Sequence, residues 1–515
     1  MSAELLTKDG QDLIRCYDPR DLSETERIVA TSVEQVPAMA AAARSAQAGW
    51  AAMGLAARKA AIARVRDDFQ AQADTVARLL AEECGRPAGE AWTAEIVANS
   101  GLFAWWLSNI DRLLLPDALS LSPLDYPKKS GLVRLEAKGL IGLVTPWNLP
   151  VAIPLRTLVP ALLAGNAVLW KPSEHTARLG AFLAGLFHKH LPAGVLQLVQ
   201  GGAAQGAAVV ESALDAIFFT GSVATGRRIA ASAGARMIPA SLELGGKDAA
   251  IVLADADLPR AVNGIVWAAF GFGGQNCAAV ERCYVHASLY DRFVEAAVAA
   301  TKALRLGKDI GPLVTPAQVA IVRRHIEAAV AGGATLRTGG GGEGQFVEPT
   351  VLTEVTDDMA VMVEETFGPV LPILPFTELD AVIVRANSGD YGLTTSVWTR
   401  DLEAGEALAG RFDCGVFTVN NHSFTGALPD AAWTGRRATG PGVTNSRFAL
   451  YEMTRPRTVL VDALTAPHEM WWYPYNDALV SATRGLTELT RRGGDKLGGL
   501  RGALRGLLNR WKDPT

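Results

Sequence analysis

The chain has 515 residues, 49% hydrophobic and 20% charged, enough to bury a substantial core in two or three domains. A formal net charge of −4 is small for this size and excludes a whole-molecule electrostatic footprint for nucleic acid. The five cysteines, Cys16, Cys84, Cys277, Cys283 and Cys414, are scattered without CxxC spacing, which excludes a disulfide framework and a structural zinc site, so no metal is expected.

Met1 to Asp12 mixes charges with short apolar stretches and lacks the apolar core of a signal peptide, so the mature chain is expected to start there and to work in a reducing, cytoplasmic compartment. From about Val36 to Glu90, apolar residues recur at helical spacing in an Ala-, Arg- and Glu-rich background, as in Ala61, Ile62 and Val65, which predicts surface helices. Leu140 to Trp170 is apolar enough to raise a transmembrane helix, but Pro146, Pro150, Pro154, Pro160, Asn148 and Arg156 interrupt it. A buried enzyme core is expected instead.

Short β-like runs, each followed by a helical stretch, occupy Leu140–Val144, Ala167–Trp170, Leu196–Val199, Ala216–Phe219 and Ala249–Leu253. Such alternation predicts a parallel sheet in a doubly wound α/β fold. Gly332 to Gly344 reads as an exposed hairpin loop, and no internal repeat is visible. After about Pro467 the composition shifts, through Trp471–Trp472–Tyr473–Pro474–Tyr475, into a basic tail. There Leu497, Leu500, Leu504, Leu507, Leu508 and Trp511 recur at helical spacing beside Arg501, Arg505, Arg510 and Lys512, predicting one basic amphipathic helix. Peripheral contact with an anionic membrane and docking on the enzyme's own body or a neighbouring subunit are its readings, and Gly498, Gly499, Gly502 and Gly506 weaken it as a free helix.

Three segments carry chemistry. Phe270–Gly271–Phe272–Gly273–Gly274–Gln275–Asn276–Cys277 delivers a cysteine on a glycine-rich turn, and a nucleophilic thiol is expected to be exposed and in polar surroundings that favour its thiolate. Glu243 stands between Leu242 and Leu244, where desolvation raises a carboxylate's pKa and suits it to general-base work. Asn148, in Thr145–Pro146–Trp147–Asn148–Leu149–Pro150, is an amide held between two prolines and able to donate to an oxyanion. Two further segments, Thr220–Gly221–Ser222 before a helical stretch and Lys171–Pro172–Ser173–Glu174 after a strand, could meet the pyrophosphate and the ribose of a dinucleotide.

With Glu364–Glu365–Thr366–Phe367–Gly368–Pro369 added, these motifs and their order make the sequence from roughly residue 15 to 463 resemble the NAD(P)-dependent aldehyde dehydrogenases. The resemblance implies Cys277 as nucleophile, Glu243 as the base for the deacylating water, and Asn148 with the backbone N–H of Cys277 as oxyanion hole. NAD would be the cofactor, held by Trp147, Lys171, Glu174, Gly221, Ser222, Glu365 and Phe367. The implied fold is α/β: a Rossmann-like cofactor domain (1–123 and 139–242), an α/β catalytic domain (243–421), and a small β oligomerisation element with the substrate mouth (124–138 and 422–466), leaving 467–515 as the tail. A homodimer or homotetramer is implied. Two departures stand out: Phe272 where the family often has Asn, and Thr434–Gly435–Arg436–Arg437 with Thr439–Gly440–Pro441–Gly442 in place of a Gly-rich, Lys-containing signature.

Arg156 is the one charged residue from Leu149 to Trp170, so it needs a protein acceptor or water. In the resembling family, succinate-semialdehyde dehydrogenases carry a substrate-binding arginine at the same offset, eight residues after Asn148, which makes Arg156 a candidate clamp for a substrate carboxylate. Two rival readings are a CoA-acylating dehydrogenase, which needs no hydrolytic base, and a non-catalytic membrane-surface or scaffold protein on the same fold. Glu243 speaks against the first, and the joint presence of Cys277, Glu243 and Asn148 against the second.

Overall fold

The computed structural model describes residues 5–8, 11–123 and 125–512. Leu124, expected to open one oligomerisation piece, and residues 1–4, 9–10 and 513–515 lie outside the described residues. The chain divides into two compact units, residues 1–115 with 135–457 and residues 116–134 with 458–515.

In the first unit, helices α1 (Val36–Ala52), α2 (Gly54–Ala71) and α3 (Ala73–Cys84) follow one another. Each buries one stripe, Ala61, Ile62, Val65 and Phe69 in α2 and Val76, Leu79 and Leu80 in α3, and leaves most of its charges outside, as the periodicity predicts. The apolar stretch from Leu140 is divided by its prolines into strand β1 (Leu140–Val144), a turn, helix α4 (Ala152–Ala164) and strand β2 (Ala167–Lys171). Every α4 residue except Arg156 is buried, and among the described residues no helix is long and apolar enough to cross a membrane.

With β3 (Leu196–Leu198), β4 (Ala216–Thr220) and β5 (Ala240–Glu243), these strands form a parallel sheet of order β5-β4-β1-β2-β3. Helix α5 (Val223–Ala235) follows β4 directly. A second sheet contains β6 (Asp248–Val252), β7 (Val280–His286), β8 (Thr335–Thr338), β9 (Thr350–Thr353), β10 (Val370–Phe376), β11 (Thr394–Trp398) and β12 (Val416–Val419), ordered β8-β9-β10-β7-β6-β11-β12. Only the β8–β9 pair is antiparallel. Helix α6 (Leu258–Phe270) connects β6 towards β7. The stretch Gly332–Gly344 is therefore not all loop. The Thr335–Thr338 run takes the edge of the sheet, and the turn proper is left to the glycines from Gly339, four of them at positive φ.

In the second unit, Asp117 and Ala118 pair with Val133 and Leu132 of the strand Lys129–Ala137, and Lys129 bonds Asp462 at 2.7 Å and also Glu469. The tail differs from the single helix expected. It forms two helices, α7 (Asp477–Thr490) and α8 (Lys496–Asn509), capped by the side chains of Asn476 and Asp495. The glycines that weaken a free α8 are the surface on which α7 packs: a Cβ on Gly506 would lie 2.3 Å from the Ala482 nitrogen.

Candidate active site

Parallel strands deliver their following loops to one edge of a sheet; the expected residues come from that edge of the first sheet and from the segments that enter strands of the second. Asn148 follows β1, Lys171 ends β2 with Glu174 just beyond, Gly221 and Ser222 follow β4, and Glu243 ends β5. Cys277 leads into β7, and Glu365 and Phe367 lead into β10. A cleft of about 310 Å³ is lined by Trp147, Asn148, Gly221, Ser222, Cys277, Glu365 and Phe367 together with Leu244 and Gly245. Lys171, Glu174, Glu243 and Arg156 are not among its lining residues.

The cysteine turn is a short 3-10 segment, Gly271–Gly274, in which Phe272, Gly273 and Gly274 all have positive φ. Cys277 is half-buried beside Ala278, Leu393, Val416 and Trp433. Its thiol faces the Asn276 side-chain oxygen at 3.8 Å, and its backbone N–H donates to no group among the described residues. The expected thiolate-favouring surroundings are not what the fold provides. Burial, and then the charges of Glu243, Asp248 and Glu365, push the Cys277 thiol up, and Arg156 alone pulls it down. Phe272 meets Arg86 in place of a polar partner: the guanidinium lies 4.8 Å from its ring, and the Phe272 N–H donates to Glu90 at 2.7 Å.

Asn148 is buried and donates from Nδ2 to the Gln275 carbonyl at 3.1 Å, which leaves its second amide hydrogen for another acceptor. The Arg86 guanidinium bonds the Asn148 carbonyl from behind. Glu243 has one buried oxygen, Oε1, without a hydrogen-bond partner. Burial raises its pKa above the ordinary carboxylate value, against the pull of Thr444 and Arg156. The segment that departs from the family pattern braces this strand end. Leu244 N donates to Thr439 O at 2.8 Å, Gly442 N to Leu242 O at 2.9 Å, and the Thr439 hydroxyl to Gly245 O at 2.8 Å.

Glu365 accepts the Gly246 N–H at 3.0 Å, and burial with the neighbouring Glu281 charge pushes its carboxyl up to about 8. Phe367 and Trp147 meet edge to face at 5.8 Å. Lys171 Nζ donates to Glu174 at 2.9 Å. Ser222 caps α5, with its hydroxyl accepting the Thr225 N–H at 3.4 Å.

Arg156 is half-buried and makes no hydrogen bond or salt bridge among the described residues; Glu243, Cys277 and Glu95 are the charged or thiol groups around it. Gly426 stands against it, such that a Cβ there would lie 3.2 Å from Nη2.

Sequence reasoning missed four contributors. Glu95, in a π-helical segment (Ala91–Val97), accepts the Ala152 N–H at 2.7 Å and leaves Oε1 buried and unpartnered. Arg86 backs Asn148 and Phe272. Lys247 and Glu281 form a buried ion pair, and Glu281 also accepts the Thr366 and Phe367 N–H groups at 2.8 and 2.9 Å, fixing the loop that carries Glu365. The one available signal is Lys247, which with Asp248 forms a charged pair inside the otherwise apolar and glycine run Leu244–Val252.

The sequence pattern of the aldehyde dehydrogenase family matches residues 6–459. The chain belongs to that family. It is 35% identical over 397 residues to 4,4'-diapolycopene aldehyde oxidase of a Methylomonas species, covering 76% of this chain and 75% of that protein. It is 33% identical to betaine aldehyde dehydrogenase of Brucella anthropi, covering 86% and 93%. Among solved structures, an aldehyde dehydrogenase of Mycobacterium tuberculosis complexed with NAD+ superposes with a TM-score of 0.84 at 30% identity, covering 90% of this chain and 99% of the other. The α/β fold is thus that of an aldehyde dehydrogenase, and the protein is an oxidoreductase acting on aldehydes.

The raised thiol gives this aldehyde dehydrogenase a pH signature. Without ligands, iodoacetamide alkylation of Cys277, followed on its peptide by mass spectrometry, is expected to keep accelerating above about pH 9, the ordinary thiol range. Glu243→Gln removes one raising charge and is expected to speed alkylation several-fold at fixed pH. A rate that levels off below about pH 8 contradicts the burial argument.

Proposed function

We propose that the enzyme oxidises an aldehyde to its carboxylic acid with NAD, through a thioester on Cys277. The observation that supports this reading is one cleft lined by Cys277, whose backbone N–H has no partner among the described residues, by Asn148, whose amide has one hydrogen to give, and by Leu244 and Gly245, which directly follow Glu243. In this reading 1–123 and 139–242 bind the cofactor and 243–421 carry the chemistry.

The residues present suit a dinucleotide. The amino end of α5 at Ser222 offers backbone donors for a pyrophosphate, the Lys171–Glu174 pair offers donors and acceptors for ribose hydroxyls, and Glu365 and Phe367 line the same cleft as Cys277. When bound, the cofactor supplies the acceptor for the hydride leaving the aldehyde carbon. The chain does the rest. Ionised Cys277 attacks the carbonyl carbon, and the Asn148 amide with the Cys277 N–H stabilises the oxyanion. Loss of hydride leaves a thioester, Glu243 takes a proton from water, the resulting hydroxide displaces the thiolate, and the acid departs. A carboxylate whose pKa is raised by burial is matched to that task near neutral pH, and it speaks against CoA-acylating chemistry.

Cys277→Ala is expected to abolish aldehyde-dependent NADH formation, while Cys283→Ala, a buried cysteine of strand β7, retains it. Glu243→Gln is expected to keep a rapid first burst of NADH and to slow the steady rate, since hydride leaves before water attacks; a rapid-mixing trace without a burst would show that Glu243 acts earlier. NAD is expected to be preferred over NADP, because the Glu174 carboxylate accepts ribose hydroxyls and repels a 2′-phosphate. Equal specificity constants for the two cofactors would refute that.

For the substrate we propose a short aldehyde bearing a carboxylate, such as succinic semialdehyde. The support is Arg156, half-buried beside Cys277 and Glu243 and without an acceptor among the described residues. A guanidinium in that position can clamp a distal carboxylate bidentately and align the carbonyl with the thiol. Arg156→Leu is expected to raise KM for succinic semialdehyde about tenfold or more, the loss of one charge-assisted pair, and to leave an uncharged aldehyde of similar length nearly unaffected. Equal weakening of both substrates would make Arg156 structural.

A further inference from the structure

We propose that the C-terminal hairpin docks this enzyme on an anionic lipid surface, with α8 lying in the plane of the membrane and its leucine stripe in the acyl boundary. The hairpin lies beyond residue 459, where the family match ends. Its two helices pack through small residues: a Cβ on Gly485 would lie 2.2 Å from the Ala503 nitrogen and 2.4 Å from the Gly499 oxygen. Ala482, Gly485, Gly499, Ala503 and Gly506 are the buried positions of the two helices. In water a helical hairpin ordinarily turns its leucines inward, and small-residue packing with leucines outward is the arrangement of helices in lipid.

The leucines are accordingly left open. Leu497 and Leu508 are each 71% exposed, and Leu500, Leu504 and Leu507 are exposed beside them. At 100° per residue they cover an arc of about 100° on α8. Lys496 borders one edge of the arc, and Arg501 and Arg505 border the other, all exposed. Residues 477–512 hold eight Lys and Arg against three Asp and Glu. Arg510 is buried and ties the hairpin to the aromatic run before it, bonding the carbonyls of Met470 and Trp472 and lying 3.9 Å from the Trp511 ring centroid. Trp472, Tyr473 and Tyr475 are exposed. Leucines, flanking cations and half-polar aromatics on one body match the acyl boundary, anionic headgroups and interface of a bilayer.

Helix length sets the orientation. The 14 residues of α8 span about 21 Å, short of a bilayer's hydrocarbon core of about 30 Å, so the helix lies along the surface. A second copy of the chain is the competing occupant. Symmetric pairing of two such stripes would bring cationic edges against cationic edges, which a lipid surface avoids.

The test is co-sedimentation of the full-length enzyme with vesicles of phosphatidylcholine and phosphatidylglycerol, and of phosphatidylcholine alone, at low and high salt. The wild type is expected to bind the anionic vesicles, more weakly at high salt and more weakly to the neutral ones. Combined Leu500→Gln, Leu504→Gln and Leu508→Gln is expected to lower binding about tenfold or more with aldehyde-dependent NADH formation intact, and Arg501→Gln with Arg505→Gln to remove the salt-sensitive part. If the leucine variant does not fold, the arginine variant decides. Wild type left in the supernatant of anionic vesicles, variants that bind like wild type, or a vesicle-free oligomer that the leucine variant splits would each overturn the proposal.

Discussion

The site depends on backbones that approach closer than any side chain allows. A Cβ at Gly246 would lie 2.2 Å from the Cys277 carbonyl oxygen, and one at Gly274 would lie 2.2 Å from the carbonyl of Gly368. These two contacts bring three segments distant in sequence into one cluster: the end of β5 with Glu243, the cysteine turn, and the loop of Glu365 and Phe367. Gly274 also carries a φ of +72°, a conformation in which an L side chain is strained. The buried Lys247–Glu281 pair then pins the third segment, because Glu281 uses its oxygens on two backbone N–H groups of that loop as well as on Lys247. Removing one member of such a pair costs about 3–5 kcal/mol, since it strands the other charge in the interior.

Packing this tight has an electrostatic consequence. Bringing a thiol and the carboxylates of Glu243, Asp248 and Glu365 together away from water disfavours their charged forms; the three carboxylates raise the thiol further, and the Glu281 charge raises Asp248 and Glu365. These four groups are thus held towards their neutral states. For Cys277 and Glu243 the opposing charge is Arg156, which makes no hydrogen bond or salt bridge among the described residues. A carboxylate bound at Arg156, as proposed, would offset a charge that favours the thiolate, so the orientation it gives comes with a weaker pull on Cys277. Glu95, fixed by the Ala152 N–H, is the remaining counter-charge within the protein.

Much of this was legible in the sequence, for a physical reason. Strands feeding directly into glycine, proline or capping residues, as Leu140–Val144 feeds Pro146–Trp147–Asn148, mark both the sheet and the edge where chemistry sits. The apolar flanks of Glu243 likewise foretold the direction of its pKa. What stayed hidden depends on partners far apart in the chain. Glu95 looks like any helical acid until α4 brings the Ala152 N–H to it, and the bracing of Leu242 by Gly442 spans 200 residues. The glycines of the tail weaken a helix standing alone, whereas a second helix packed on them makes the same glycines an interface. The thiol's surroundings are hidden in the sequence because its neighbours there are small and polar, whereas its neighbours in space include Leu393, Val416 and Trp433.

The central claim is that Cys277 carries the acyl group and that Glu243 governs its release. It is tested most directly by mass spectrometry of Glu243→Gln quenched in acid shortly after mixing with aldehyde and NAD. The account predicts a mass increase equal to the acyl group, located on the peptide containing Cys277 and decaying slowly. An unmodified Cys277 peptide in enzyme that has formed a stoichiometric amount of NADH, or an acyl group on another residue, would contradict it.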